Sequence, residues 1–172
     1  LPPGWTKVAS AATTSWPQSA TPVYDGVASF VTGPGELSSE IYQDVNVSSF
    51  APLIATGEQR FAFTGQTNSM IFGGLINTCQ IIVEYRDANN SAVLASFDST
   101  ALAPMARWVK VSDTRLAPAG TSWIRVRLIG ARNALSPFFS VSYCDSLALR
   151  AVATAMTTVT ATATDDGLPA SI

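Results

Sequence analysis

The sequence predicts an all-β fold: two antiparallel sheets stacked as a β-sandwich, with an extended C-terminal tail. Three observations carry this. Short segments alternate between apolar and polar residues and are parted by turn formers. Hydrophobic residues make up 47% of the 172-residue chain and charged residues only 13%, enough apolar side chains for one sizeable core. Little of the chain keeps a helical apolar period over the roughly ten residues a helix needs.

The elements follow in chain order. In Glu40-Ile41-Tyr42-Gln43-Asp44-Val45-Asn46-Val47, the residues Ile41, Val45 and Val47 share one face, and Tyr42, Asp44 and Asn46 share the other. Side chains alternate along a strand, so one of these faces is buried. Ser48 to Thr56 has room for a short turn of helix. Phe61 and Phe63 then point together into the core from a strand over Arg60 to Thr64. Gly65 to Leu75 mixes turn formers with apolar residues and reads as a long loop or a bent strand. Gln80 to Asp87 and Val93 to Asp98 flank Ala88-Asn89-Asn90-Ser91-Ala92, whose Asn and Ser residues suit a tight reversal, so a hairpin is expected. Arg107 to Arg115 and Thr121 to Gly130 are joined through Ala117-Pro118-Ala119-Gly120 and read as a second hairpin. A last strand runs from about Ser140 to Leu149, with Val141, Tyr143 and Leu147 alternating against Ser142, Cys144 and Ser146.

One domain over residues 1–150 accounts for these segments. Residues 151–172 turn to Ala and Thr with no aromatic anchor and read as a tail or linker. Its Thr157 to Thr164 stretch is rich in β-branched residues and suits pairing as an added strand on a neighbouring subunit. Cys79 and Cys144 are the only cysteines. Two readings of them stand level: one bridge, whose long loop would stabilise the fold by about 4 kcal/mol, or two buried free thiols.

Several function classes drop out on composition. The net charge is -2 and the ten Lys and Arg form no basic run, so nucleic acid is not an expected partner. No apolar stretch reaches the ~18 residues that cross a bilayer, so no membrane partner is expected. The start, Leu1-Pro2-Pro3-Gly4-Trp5, lacks the basic and apolar regions of a signal peptide. The chain has no histidine, which removes His-based triads, His-ligated zinc and the commonest general base. A glycosidase needs only two carboxylates, but Glu36 and Glu40 sit among turn residues without an acidic or aromatic cluster and read as solvated. The chain is therefore not expected to be an enzyme.

Binding residues are the remaining candidates. In Trp123-Ile124-Arg125-Val126-Arg127-Leu128, the apolar residues alternate inward and leave Trp123, Arg125 and Arg127 together on the opposite face. A flat indole with planar guanidinium donors suits a sugar ring and its hydroxyls. The same arrangement suits cross-strand ion pairs with Glu84 and other acids, which is the commoner use of such a face. Trp16 lies between Thr13-Thr14-Ser15 and Pro17-Gln18, in a loop, and is the fourth candidate for ligand contact. Trp108 reads as packed within its strand.

The order of these segments resembles the carbohydrate-binding-module type of galactose-binding-like β-sandwich. That fold is a jelly roll found in secreted glycan-active proteins and in phage tail or fibre proteins. The matching pieces are Gly4-Trp5, Tyr24-Asp25-Gly26, Ile41-Tyr42-Gln43-Asp44-Val45, Arg60-Phe61-Ala62-Phe63-Thr64-Gly65 and Val83-Glu84-Tyr85-Arg86-Asp87. They continue through Trp108, Ala117-Pro118-Ala119-Gly120-Thr121, Ile124-Arg125-Val126-Arg127-Leu128 and Tyr143-Cys144-Asp145-Ser146-Leu147. The resemblance implies a structural calcium at Asp25 and Asp145, completed by backbone carbonyls. Two departures bear on it: the sequence begins after where the family's opening Asn-to-Phe-Glu segment would lie, and Asp145 is followed by Ser146 rather than a second acid. Asp25-Gly26 also reads as a plain turn, and Asp145 as a hydrogen-bonded strand residue.

The functional expectation is a non-catalytic binding or adhesion module that attaches a larger extracellular or virion assembly to a glycan-bearing surface. The alternative is a structural subunit of a virion tail, fibre or capsid decoration, working as part of an oligomer through contacts with neighbouring subunits.

Overall fold

Alternation decides which side of each strand is dry. Ile124, Val126 and Leu128 are at most 5% exposed while the residues between them are half-buried. Ile81, Val83 and Tyr85 repeat the pattern two strands' width away from Ile41. These side chains fill the space between two sheets, and each contributes about 1.5–3 kcal/mol relative to an exposed position.

The computed structural model describes residues 1, 3–8, 18–19, 22–31, 37–72, 75–131, 133, 135 and 142–152. The first strands are β1 (Trp5–Lys7), β2 (Gln18–Ser19), β3 (Ser29–Val31) and β4 (Ser38–Asn46). A 3-10 turn (Ser48–Phe50) leads into α1 (Ala51–Ala55), the short helical turn expected there. After it come β5 (Arg60–Ser69), β6 (Ile71–Phe72), β7 (Leu75–Ile76), β8 (Thr78–Arg86) and β9 (Val93–Asp98). The last three are β10 (Val109–Leu116), β11 (Trp123–Ala131) and β12 (Ser142–Val152).

The first sheet has the order β1-β4-β11-β8-β9 and the second β10-β5-β12-β3-β2, with every pairing antiparallel. The predicted all-β sandwich is therefore the observed fold. Phe61 and Phe63 of β5 meet Ile41, Ile81 and Tyr85 in a single core. Phe61 stacks edge-on against Phe50 at 5.5 Å, so the helical turn plugs one end of the sandwich. Trp5 and Phe30, 5.0 Å apart, close one side between the sheets. On the other side Arg115 lies over Phe97 and donates to the Ser96 carbonyl, tying β10 to β9. Gly65 is closely packed: a Cβ there would stand 2.8 Å from Leu147 Cδ2 and 3.2 Å from Phe63 Cζ, so those side chains would have to shift.

Two local expectations change, the second hairpin and the plain alternation of the last strand. The hairpin between Gln80–Asp87 and Val93–Asp98 forms, with Asp87 accepting the Ser91 and Ala92 N–H groups in its turn. The second hairpin does not. β10 pairs with β5 in one sheet, and β11 pairs with β4 and β8 in the other. The Ala117–Gly120 connection is an arch between sheets: Ala117 is buried and bonds to Gln59, and Thr121 bonds back to Pro118. Of the two readings of Gly65 to Leu75, the strand is the one observed, since β5 runs on to Ser69 and β6 pairs with β7. In β12 the simple alternation breaks at a bulge between Asp145 and Ala148, with Ser146 at φ 48°. The bulge puts Cys144, Leu147 and Leu149 with the core, while Tyr143 and Ala148 follow the outward residues of β5. β12 runs on through Ala151 and Val152. The remainder of the tail, including the Thr157 to Thr164 stretch, lies outside the described residues.

Candidate functional site

The outer face of the first sheet carries the predicted Trp123, Arg125 and Arg127, aligned as alternation requires. Register sets Arg125 between Asp44 of β4 and Glu84 of β8. Arg125 grips Asp44 with two parallel bonds, Nε to Oδ1 at 2.7 Å and Nη2 to Oδ2 at 2.8 Å, and lies 4.0 Å from the Tyr42 ring centre. Arg127 bonds Glu40 through Nε and Nη2 at 2.6 and 3.0 Å, and reaches Glu84 through Nη1 at 2.8 Å. Arg86 binds the second Glu84 oxygen and the Asn90 side chain, whose own amide donates to Asp44. Trp123 donates its indole N–H to the Ala88 carbonyl at 3.3 Å.

Three acids and three arginines thus close into one neutral network. Burial raises the Asp44 carboxyl, but bonds from Arg125 and Asn90 outweigh it and hold the group below its ordinary value. The bond to Glu40, then that to Glu84, raises Arg127 against the cost of burial. A general acid needs a raised carboxyl, so Asp44 is tuned the wrong way for that work. The guanidinium forks that would greet a sugar already hold carboxylates, which is the cross-strand pairing weighed from the sequence. Glu40, read from the sequence as solvated, is part of this cluster, and Glu36 lies outside the described residues.

The outer face of the second sheet is different. Val109 and Val111 face inward opposite Thr67 and Gly65, so alternation turns Trp108, Lys110 and Ser112 outward. β5 contributes Gln66 and Asn68 to the same side, and β12 contributes Tyr143 and Asp145. Tyr24 reaches this face from the loop before β3. Its backbone N–H and that of Asp25 donate to Asp145 Oδ2 at 2.8 and 3.2 Å. Its ring meets Trp108 edge to face at 5.8 Å. Held at β12 and touching the residue before β10, the Tyr24 loop crosses above β5. Tyr24 remains 52% exposed, and Trp108 is half-buried. Beneath them Asn68 Oδ1 is buried without a hydrogen-bond partner.

An exposed tyrosine against a half-buried tryptophan, beside amide and ammonium groups, is a surface that can stack a flat apolar face and bond its polar rim. Sequence reading assigned Tyr24 no binding role and read Trp108 as packed within its strand, and Trp108 is half-buried just before β10. The signal that finds Trp108 was present: Val109 and Val111 fix the inward parity, which leaves Trp108 outward. No sequence signal places Tyr24 beside it, because that contact depends on a long-range bond to Asp145. Trp16 lies outside the described residues.

Asp25 and Asp145 do come together, but through backbone donors. Asp145 Oδ1 accepts the Ser146 N–H at 2.7 Å while Oδ2 takes Tyr24 and Asp25, and Asp25 Oδ1 accepts the Gly26 N–H at 2.8 Å. Calcium needs about six to eight oxygen ligands. Here N–H groups occupy the carboxylate edges that a cation would face, and no group of three His, Cys, Asp or Glu side chains converges among the described residues. The residues present do not fit calcium, and Asp145 serves instead as the anchor of the Tyr24 loop. Cys79 and Cys144 also meet, as two buried thiols with Sγ atoms 3.0 Å apart.

No family model matches the chain, and no curated protein matches it by sequence. Solved structures do match its fold. The C-terminal family 22 carbohydrate-binding module of Clostridium thermocellum Xyn10B superposes with TM-score 0.57 at 16% identity, over 89% of this chain and 87% of the module. The CBM22-2 xylan-binding domain of Paenibacillus barcinonensis Xyn10C gives TM-score 0.56 at 13% identity, over 88% of this chain and 94% of that domain. The enzymatically active domain of tailspike protein 4 of bacteriophage CBA120 gives TM-score 0.59 at 10% identity. It is matched over 87% of this chain, which spans about 20% of the tailspike chain. The chain has the β-sandwich fold of carbohydrate-binding modules.

Proposed function

We propose that the chain is a non-catalytic glycan-binding module of an extracellular protein, and that its ligand lies on the outer face of the second sheet. The observation that carries this reading is the Tyr24–Trp108 pair, an exposed ring against a half-buried one, pinned in place above Gln66, Asn68 and Lys110. Aromatic rings bind the C–H face of a sugar, and the neighbouring amides and the Lys110 ammonium bond its hydroxyls. The first sheet's face is the weaker candidate because Arg125 and Arg127 are committed to Asp44, Glu40 and Glu84. Two of the structural neighbours give the panel to try first: one is a xylan-binding domain and one was solved with β-1,4-galactotriose. Native electrophoresis of the chain through gels containing xylan, galactan or other soluble polysaccharides tests the reading. Retardation by at least one polysaccharide is expected.

The tailspike likeness favours a second reading, in which the same sandwich is a subunit of a virion tail or fibre and holds neighbouring protein chains. That reading expects an oligomer in light scattering and no retardation by any polysaccharide, with an interface of about 1,000 Å² or more.

A further inference from the structure

We infer that Cys79 and Cys144 are a modification site, oxidised in the mature chain to one intramolecular disulfide that staples β8 of the first sheet to β12 of the second. The two Sγ atoms lie 3.0 Å apart, and both residues are fully buried. Their backbones are held independently of the sulfurs. Cys79 exchanges two bonds with Leu102, N to O at 2.8 Å and O to N at 2.9 Å, and Cys144 lies between Thr67 and Phe30 in the second sheet. The sheets approach closely at this point for a reason separate from the thiols: Ser142 Oγ donates across the gap to the Thr78 carbonyl at 2.7 Å. β8 and β12 come within 8 Å at Cα, inside which a bridge needs roughly 4.4–6.8 Å. The chain has no third cysteine to compete for the pairing.

The chemistry is exchange with a soluble disulfide such as oxidised glutathione. One cysteine thiolate attacks a donor sulfur, forming a mixed disulfide and releasing one donor thiolate. The second cysteine thiolate then attacks the protein sulfur of that mixed disulfide, closing the Sγ–Sγ bond and releasing the other donor thiolate. Two cysteines are oxidised, one donor disulfide is reduced, and the two cysteine protons end on the two donor thiols. The reaction belongs to folding rather than to the finished fold, because exchange needs a thiolate and access. In the closed sandwich both sulfurs are out of solvent, and the contact with Cys79 followed by burial pushes the Cys144 thiol well above its ordinary range. Once formed, the bridge is sealed from reductants by the same burial.

The test uses the full chain, in two preparations: refolded from denaturant with oxidised glutathione, and secreted into an oxidising compartment. Each is unfolded in denaturant with an alkylating reagent and weighed intact. The expected result is no alkylation, a mass two hydrogens below that of the sequence, and a proteolytic peptide joining Cys79 to Cys144. Its thermal midpoint should fall when reductant is present during unfolding. Two alkylated sulfurs in chains with a native circular-dichroism spectrum would overturn the inference. So would disulfide-linked dimers, or a chain that regains that spectrum only under reducing conditions.

Discussion

The Asp145 carboxylate accepts the backbone N–H of Tyr24 at 2.8 Å, across 121 residues of sequence. That bond fixes the aromatic ring over the outer face of the second sheet. Removing the acceptor leaves the Tyr24 and Asp25 donors to compete for water and frees the loop. Asp145→Ala should cost about 1.5–3 kcal/mol in urea unfolding, the contribution of hydrogen bonds to a charged acceptor. It should also weaken polysaccharide retardation although Asp145 itself touches no sugar. Unchanged retardation would mean that Tyr24 holds its place without the anchor.

The same bonds bear on calcium. With both oxygens of Asp145 engaged by N–H groups, adding calcium or a chelator should leave the thermal midpoint where it is. A ligand bound only by the folded state raises apparent stability with its concentration. A calcium-dependent rise would show that the loop rearranges to form a site.

Arg127 links Glu40 of β4 to Glu84 of β8 across β11. Its truncation takes the guanidinium partner from Glu40 and one of two from Glu84, which keeps Arg86. Arg127→Ala should destabilise by about 1–2 kcal/mol, below the ~3–5 kcal/mol of a fully buried pair because water reaches the face. Polysaccharide retardation should be unaffected. Loss of binding in a variant that still folds would move the ligand to the first sheet.

Tyr85 is 1% exposed, and burial, reinforced by Asp113, pushes its phenol up from 10.0 to about 12. The folded state therefore prefers the neutral phenol. Its contribution is intact below pH 10.0, where the unfolded chain also stays neutral, and is lost as pH rises toward about 12. Urea midpoints measured from pH 8 upward should fall across that window, and Tyr85→Phe should flatten the fall. A slope that survives in the phenylalanine variant would assign the effect to other groups, of which Tyr143, also raised by burial, is the first to check.

Period-two alternation made most of the sandwich legible in the sequence. Ile41, Phe61, Phe63, Ile124, Val126 and Leu128 each face the core as read, and Trp123, Arg125 and Arg127 share the opposite side. What alternation leaves open is which strand pairs with which. Ala117-Pro118-Ala119-Gly120 has the residues of a hairpin turn, yet it arches between sheets, because pairing is decided by distant partners such as Arg60 to Thr67. The bulge at Ser146 was invisible for a related reason, since one inserted residue reverses parity without changing composition. At the candidate site, Trp108 was readable from the parity of its neighbours. The Tyr24 contact was not, because it rests on a bond closed only in three dimensions.

The claim that the second sheet's outer face is the glycan platform is tested most directly by affinity electrophoresis of three variants beside the parent chain. On a polysaccharide that retards the parent, Tyr24→Ala and Trp108→Ala should each lose most of the retardation, as removing a stacking aromatic costs about 1 kcal/mol or more. Arg127→Ala should keep it. Equal retardation of all four chains, or retardation lost only in Arg127→Ala, would contradict the account.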